Sequence, residues 1–383
     1  MSTTPVEVFI GPAEKLVYLT PELNLALPES QNAFDVVEDA FTSDSEAYLK
    51  RLEESLFTFT SSTGAKVDCS LVPGKGSELL IMWAPFSDSA PSSSAETMYQ
   101  YITEEDVSKT KAAPNSWNQL TKSGVVAELL KATGREMPVL TIFSPLPSVP
   151  HNAYTGQEYK QIRNGNFTPA SRITSEAIRH AQDRLHGPKG ETQINELHFH
   201  GASLGASSAI GAANGLLAVA NHAIRTVTAQ ELIVAPRNVF PDLAARFTVK
   251  ATVGEVSDAA IDETWAAIEE PLVRQEIERR GNEPMMFGRM LQGMSKVSRL
   301  KGLTRPGRNE TPFLIENLVR ADVSVLLPLA ENSGLTYDTP KYLPDAGEQI
   351  VHVRAIKGEQ ANHLVDEHVA LTALLAVINI RSS

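Results

Sequence analysis

The sequence predicts an α/β protein with a mostly parallel central sheet, helices on its flanks and a helical insertion late in the chain. Three observations predict it. From about residue 50, short apolar runs of strand length alternate with stretches of helical periodicity, the pattern of strands joined by helical crossovers. Gly201-Ala202-Ser203-Leu204-Gly205 stands directly between one such strand and a helix. The alternation stops between residues 237 and 320, where charged helical pieces and methionines take over, and then resumes.

Residues 1–50 are mixed and acidic and read as an extension packed on the main body. Leu56 to Thr60 and Lys66 to Val72 read as a hairpin around Ser62-Thr63-Gly64, and Glu78 to Ala84 as a buried strand. A polar stretch from Phe86 to about Ser116 follows, then a helix through Leu120, Val126 and Leu130 that ends at Gly134. Strands are expected at 138–143, 194–200, 229–234, 323–327 and 350–356, and helices at 172–185, through Leu216, and from Val365 to about Ile378. The core therefore divides into 51–236 and 321–383, with a helical insertion, 237–320, between them.

The composition bounds the function. Of 383 residues, 42% are hydrophobic and 21% charged, which fits a folded soluble protein. The net charge is −12 with no basic block to offset it, which speaks against nucleic acid and anionic membranes as partners. No stretch approaches the 18 apolar residues of a membrane span, and Met1-Ser2-Thr3-Thr4-Pro5 does not begin a secretory signal, so a cytoplasmic location is the expectation. The single cysteine, Cys69, lies in a strand pattern and reads as a small buried residue.

The pentapeptide at 201–205 carries the chemistry. A serine on a tight strand-to-helix turn has its hydroxyl raised above the sheet. Glycines on either side leave room where a Cβ would strike a neighbouring element. The Leu204 N–H lies at the helix N-terminus, where a developing oxyanion is favoured. Here the chain resembles the α/β-hydrolase family, over roughly residues 50–383. The resemblance rests on Leu197-His198-Phe199-His200-Gly201-Ala202-Ser203-Leu204-Gly205, on the late Gly358-Glu359-Gln360-Ala361-Asn362-His363-Leu364, and on the order of strands between them.

The resemblance implies a serine hydrolase without a cofactor, its triad running Ser, acid, His along the chain, with the insertion 237–320 forming a helical cap over the serine. Ser203 is the nucleophile. His363, in a loop after the last strand, is the base, with His368 its competitor five residues on. The acid departs from the family: Ser333 occupies the place of the usual Asp, which leaves Glu331 first, then Asp338 in the same loop and Asp242 after an earlier strand. Leu204 N–H and a donor after the Leu79 to Trp83 strand would form the oxyanion hole. Pro85 has no N–H, so that donor is Phe86 or Ala84, and Phe86 matches the family position better.

Other motifs have plainer readings. His198 and His200 share a strand face but lack a third ligand, and read as buried, hydrogen-bonded histidines rather than a metal pair. Met286, Met290 and Met294 form a helical stripe, either packing or a pliable apolar wall over the site. Gly187-Pro188-Lys189-Gly190 lacks the ending of a phosphate loop. The expected substrate is a small or medium apolar ester. The alternatives are a non-catalytic binding protein with a degraded triad, or an amidase, peptidase or acyltransferase using the same residues.

Overall fold

The computed structural model describes residues 6–10, 15–19, 54–84, 123–124, 126–131, 134–143, 153–186, 194–219, 222–232, 234, 310–330, 351–357, 377 and 379–380. Among them a ten-stranded sheet organises everything else. Two antiparallel strands, β1 (Val6–Ile10) and β2 (Lys15–Leu19), precede a second hairpin, β3 (Leu56–Thr60) and β4 (Lys66–Val72). That hairpin turns at Gly64, whose φ of 86° suits a residue without a Cβ. The remaining strands are β5 (Glu78–Trp83), β6 (Val139–Ile142), β7 (Glu196–Ala202), β8 (Ala223–Gln230), β9 (Ser324–Ala330) and β10 (Val351–Lys357).

The spatial order is β2-β1-β10-β9-β8-β7-β5-β6-β4-β3. Strands from β6 across to β10 pair in parallel, while β4 is antiparallel to both β3 and β6. The predicted mostly parallel sheet is thus the observed one. The N-terminal extension is part of it: β1 pairs antiparallel with β10, with Glu7 opposite Lys357.

Helices cover both faces. Among the described residues α1 (Gly156–Arg163), α2 (Thr168–His186), α3 (Leu204–Leu217) and α4 (Thr311–Arg320) accompany the strands. Leu79, Ile81 and Trp83 of β5, Phe199 of β7, Val227 of β8 and Val325 of β9 join apolar residues of these helices in one core cluster. The alternate residues, including Leu80, Met82, His198, Thr226 and Leu326, point to the other face by the period of a strand. There Ser123 meets Thr141 and Asn379 meets Ser324 and the Val227 carbonyl. The helical residues 126–131 end where Gly134, at φ 80°, donates its N–H to the Lys131 carbonyl, the stop expected from the sequence.

One expected element moves. The strand read at 229–234 runs instead from Ala223 to Gln230. Its partners on either side, β7 and β9, fix it in that register, Thr226 lying between His198 and Ser324. Leu232 and Val234 are buried beyond its end rather than within it. Helix α4, the last part of the segment 237–320, packs against α3 and β9. The rest of that segment, the methionine stripe and most of the closing helix lie outside the described residues.

Candidate active site at the Ser203 turn

The chain order places a crevice before any side chain is considered. After β5 the chain moves to β6 on one side, whereas after β7 it moves to β8 on the other. The connections leaving β5 and β7 therefore part company at the carboxyl ends of two adjacent strands, which is where ligands bind in open α/β sheets. Ser203 stands at that point. It follows the last residue of β7 and precedes the first residue of α3.

Its backbone is held in an unusual conformation. Ser203 has φ 55° and ψ −119°, a region that costs a residue with a Cβ of order 1–3 kcal/mol. Its N–H donates to the Gln230 carbonyl of β8 at 2.9 Å, and its own carbonyl accepts from Ala206 N–H at 3.1 Å. The turn is thus fixed from both sides, and the residue is half-buried rather than sealed. Leu204 begins α3, so its N–H has no acceptor within the helix and faces the turn with the positive end of the helix dipole.

The two glycines of the motif are required by contact. A Cβ on Gly201 would lie 2.1 Å from the Gly205 carbonyl oxygen, and one on Gly205 would lie 2.4 Å from the Trp83 carbonyl oxygen and 2.6 Å from that of Ala84. The start of α3 is therefore pressed against the end of β5. Further along, Gly211 meets Phe167 and Gly215 meets Ser171, so the small residues after the serine let α3 lie close to α2.

The end of β5 is anchored by its own side chain. The Trp83 indole N–H donates to Thr174 Oγ1 of α2 at 3.1 Å, and its ring stacks on Tyr154 with centroids 6.0 Å apart. The Tyr154 hydroxyl lies 3.2 Å from Ser208 Oγ of α3, and burial keeps the phenol protonated well above its ordinary range. Strand β5, α2 and α3 are joined under the turn by these three contacts.

The predicted site residues divide accordingly. Ser203 and Leu204 come together at the turn. Phe86, His363, Glu331, and the alternatives Asp338, Asp242 and His368, lie outside the described residues. Ala84 is described, and its N–H is taken by the Ile142 carbonyl at 3.0 Å, which removes it as an oxyanion donor. Cys69 is buried in β4, and burial, reinforced by the neighbouring Asp68 charge, pushes its thiol up. His198 is buried with Nδ1 3.0 Å from Thr226 Oγ1, and desolvation, aided by Arg135, lowers it to about 4, so it is neutral at pH 7. No group of three or more potential metal ligands occurs among the described residues.

Sequence reasoning passed over Glu231. It follows β8 directly, is fully buried and has a φ of 53°. Read as the middle of a strand, it carried no signal; its place after the true strand end is what makes it visible.

No family model matches the chain and no curated protein resembles it in sequence. Among solved structures it is similar to the rice cell wall degrading esterase LipA from Xanthomonas oryzae, at 12% identity and a TM-score of 0.44 over 85% of this chain and 88% of that one. It is also similar to the esterase EaEST from Exiguobacterium antarcticum, at 11% identity and a TM-score of 0.42 over 84% and 98%. The peroxisomal alpha-beta-hydrolase Lpx1 from Saccharomyces cerevisiae stands at 13% and 0.41 over 85% and 84%. Likenesses of this size do not transfer an activity. The order and direction of β3 to β10, with Ser203 at the turn after β7, give the chain the α/β-hydrolase fold.

Proposed function

We propose that the protein is a serine hydrolase that cleaves an ester-type bond of a small or medium apolar substrate through an acyl-enzyme. The observation that carries this reading is the strained backbone of Ser203 at a helix N-terminus over the β5–β7 crevice. A serine with no special task has no need of that conformation, and strain of this kind collects at functional sites.

Ser203 Oγ attacks the carbonyl carbon while its proton passes to the imidazole of His363. The carbonyl oxygen becomes an oxyanion, held by Leu204 N–H and by Phe86 N–H. The leaving alcohol takes the proton from the imidazolium as the C–O bond breaks. Water then attacks the acyl-enzyme by the same route in reverse and frees Ser203. A carboxylate completes the triad, and Glu331, next in the chain after β9, is the residue the sequence favours. Part of the segment 237–320 caps the site and supplies its apolar wall.

Labelling with a fluorophosphonate probe tests the reading. Wild type is expected to react, and Ser203→Ala and His363→Ala to lose the reaction. Ser203→Ala should also lower kcat for a short p-nitrophenyl ester by several orders of magnitude with little change in thermal midpoint. A wild type that does not react, or a Ser203→Ala that labels equally, removes Ser203 from any such chemistry.

A further inference from the structure

We infer that β3 is a docking edge for a second copy of this chain, which pairs with it antiparallel about a two-fold axis at Thr58 and joins the two sheets into one. Strand β3 ends the sheet on its side, and β4 is its one neighbour there. That neighbour fixes the direction of its backbone groups. At the two ends of the pairing Leu71 N–H donates to the Ser55 carbonyl at 2.9 Å and Ser61 N–H to the Ala65 carbonyl at 2.7 Å. Antiparallel pairs alternate between bonded and non-bonded positions. Phe57 and Phe59 therefore turn their N–H and C=O groups toward Cys69 and Val67, and Leu56, Thr58 and Thr60 turn theirs out of the sheet. Thr58 and Thr60 are exposed and Leu56 is half-buried. Among the described residues no backbone group bonds to the outward groups of these three.

An open edge is a template for pairing, and folded chains blunt it with a charge, a proline, a bulge or a covering element. Leu56-Phe57-Thr58-Phe59-Thr60 has no charge and no proline, and its register with β4 is unbroken. At the far side of the sheet the N-terminal hairpin closes over β10, whereas no strand lies beyond β3. Helix α2 packs on α1, α3 and β6 and reaches β3 with side chains. Arg184 lies over the Phe57 ring at 4.3 Å, and His180 meets Phe59 with ring centroids 4.6 Å apart.

The occupant follows from the strand's own pattern. About an axis at Thr58, Thr58 faces the partner's Thr58 and Leu56 faces the partner's Thr60. Every outward residue then meets an outward residue, and about six hydrogen bonds close. A slip of one residue sets outward groups against inward ones, and a slip of two carries Leu56 or Thr60 past the end of the partner strand. The facing residues are uncharged, so like charges are not opposed. Phe57 comes beside the partner's Phe59, which brings Arg184 toward the partner's His180 and not toward the partner's Arg184. An unrelated extended peptide fits less well. Such peptides are held by pockets for alternate side chains, whereas one side of β3 is filled by its own Phe57 and Phe59 and the other presents Thr58 and Thr60. Five residues of strand bury less than a stable interface needs. Exposed Arg179, Asp183 and Arg184 of α2, which mix both signs, complete it. The dimer is closed and weak, populated at on the order of tens of micromolar.

Sedimentation velocity of the full chain, from about 1 to 100 μM, tests the assignment. Wild type is expected to pass from monomer to dimer over that range and to stop there. Thr58→Lys, which sets two ammonium groups face to face on the axis, should stay monomeric, and Thr58→Val should still dimerise. Should Thr58→Lys not fold, Thr58→Pro decides: it deletes an outward N–H that no strand of its own chain uses, and it too should stay monomeric. A short bis-methanethiosulfonate cross-linker reads the register. Position 58 faces itself at a Cα separation of about 5.5 Å, whereas the two copies of position 60 stand about 14 Å apart along the strands. Thr58→Cys should therefore cross-link to a dimer at least about tenfold faster than Thr60→Cys, with no background from Cys69, which is fully buried. A wild type that stays monomeric to the highest concentration overturns the assignment and leaves the edge to solvent or another partner. Mass that grows beyond the dimer overturns it in favour of open-ended pairing of β3 with β2. A Thr58→Lys or Thr58→Pro that dimerises like wild type, or equal cross-linking at 58 and 60, places any dimer elsewhere and overturns it as well.

Discussion

Gly205 is packed so tightly against Trp83 that a Cβ at position 205 would stand 2.4 Å from the Trp83 carbonyl oxygen. The obstacle is backbone, which cannot swing aside as the tip of a side chain does. The last residue of β5 and the second residue of α3 therefore set the distance between the two walls of the crevice. Gly205→Ala is expected to destabilise the protein by about 1–3 kcal/mol through overpacking. It should also displace the Leu204 N–H and slow labelling of Ser203 beyond the loss of folded protein. Thermal melts and labelling rates on the same preparation check both, and an alanine variant with wild-type values of each would show that α3 can retreat freely.

The strain at Ser203 gives the second expectation. With φ 55° and ψ −119°, this residue is in a conformation that glycine adopts without penalty. Ser203→Gly trades the strain, of order 1–3 kcal/mol, against the extra unfolded-state entropy of glycine, about 0.5–1 kcal/mol. The variant is expected to be at least as stable as wild type while unable to react with a fluorophosphonate. Denaturant titration against Ser203→Ala measures the difference. A glycine variant less stable than the alanine one would show that the backbone at this turn is not strained.

A third expectation concerns the tie between the β3–β4 turn and the helices. Arg172 of α2 pairs with Glu176 at 2.9 Å and with Glu158 of α1, while Ser62 N–H donates to Glu176 at 3.1 Å and Thr63 Oγ1 to Glu158 at 3.1 Å. Burial pushes both carboxyls up, but hydrogen bonds, from Thr155 to Glu158 and from Ser62 to Glu176, together with Arg172, outweigh it and leave both below their ordinary range. Carboxyls lowered in the folded state stabilise it above their unfolded values, near 4.3, and that contribution is lost as pH falls through the folded values. Arg172→Met should cost about 1–3 kcal/mol at pH 7, a figure between those for exposed and buried pairs. The gap to wild type should close at acid pH, where neutral carboxyls no longer need the cation. A constant gap across pH, in urea titrations, would point to lost packing instead.

The sequence made the fold legible where local chemistry repeats the global pattern. The β3–β4 hairpin announces itself through Ser62-Thr63-Gly64, and Gly134 through the end of a periodic stretch, because both are local events. The serine turn was legible because Gly201 and Gly205 are demanded by contact. The end of β8 was not. Leu232-Ile233-Val234 is the more apolar run, while the strand itself carries Arg225, Thr226 and Thr228. Those threonines are buried opposite His198 and His200, and Thr226 Oγ1 lies 3.0 Å from His198 Nδ1, so apolar content misled the reading. Placing the strand too late put Glu231 inside it and hid the carboxylate. The pairing of β1 with β10 joins residues some 350 positions apart, and no local signal announces such a contact.

His198 supplies the last expectation. Its ring is buried in β7 beside Thr226, with 1% exposure, and desolvation, then Arg135, lowers it from 6.5 to about 4. Folding therefore favours the neutral ring. Above the unfolded value the ring is neutral in both states and its titration makes no demand. As pH falls below 6.5 the unfolded chain takes up a proton that the folded chain refuses until about 4, so stability declines through that window. The decline attributable to this one group is on the order of 3 kcal/mol by pH 4, at 1.36 kcal/mol per unit. His198→Gln keeps a polar group near Thr226 and removes the titration. The variant is expected to be somewhat less stable at pH 7.5, where the lost fit dominates, and to lose less than wild type between pH 6.5 and 4. Urea midpoints for the two proteins at half-unit intervals measure the slopes. Parallel slopes through that window would mean that His198 is protonated in the fold as readily as in the unfolded chain.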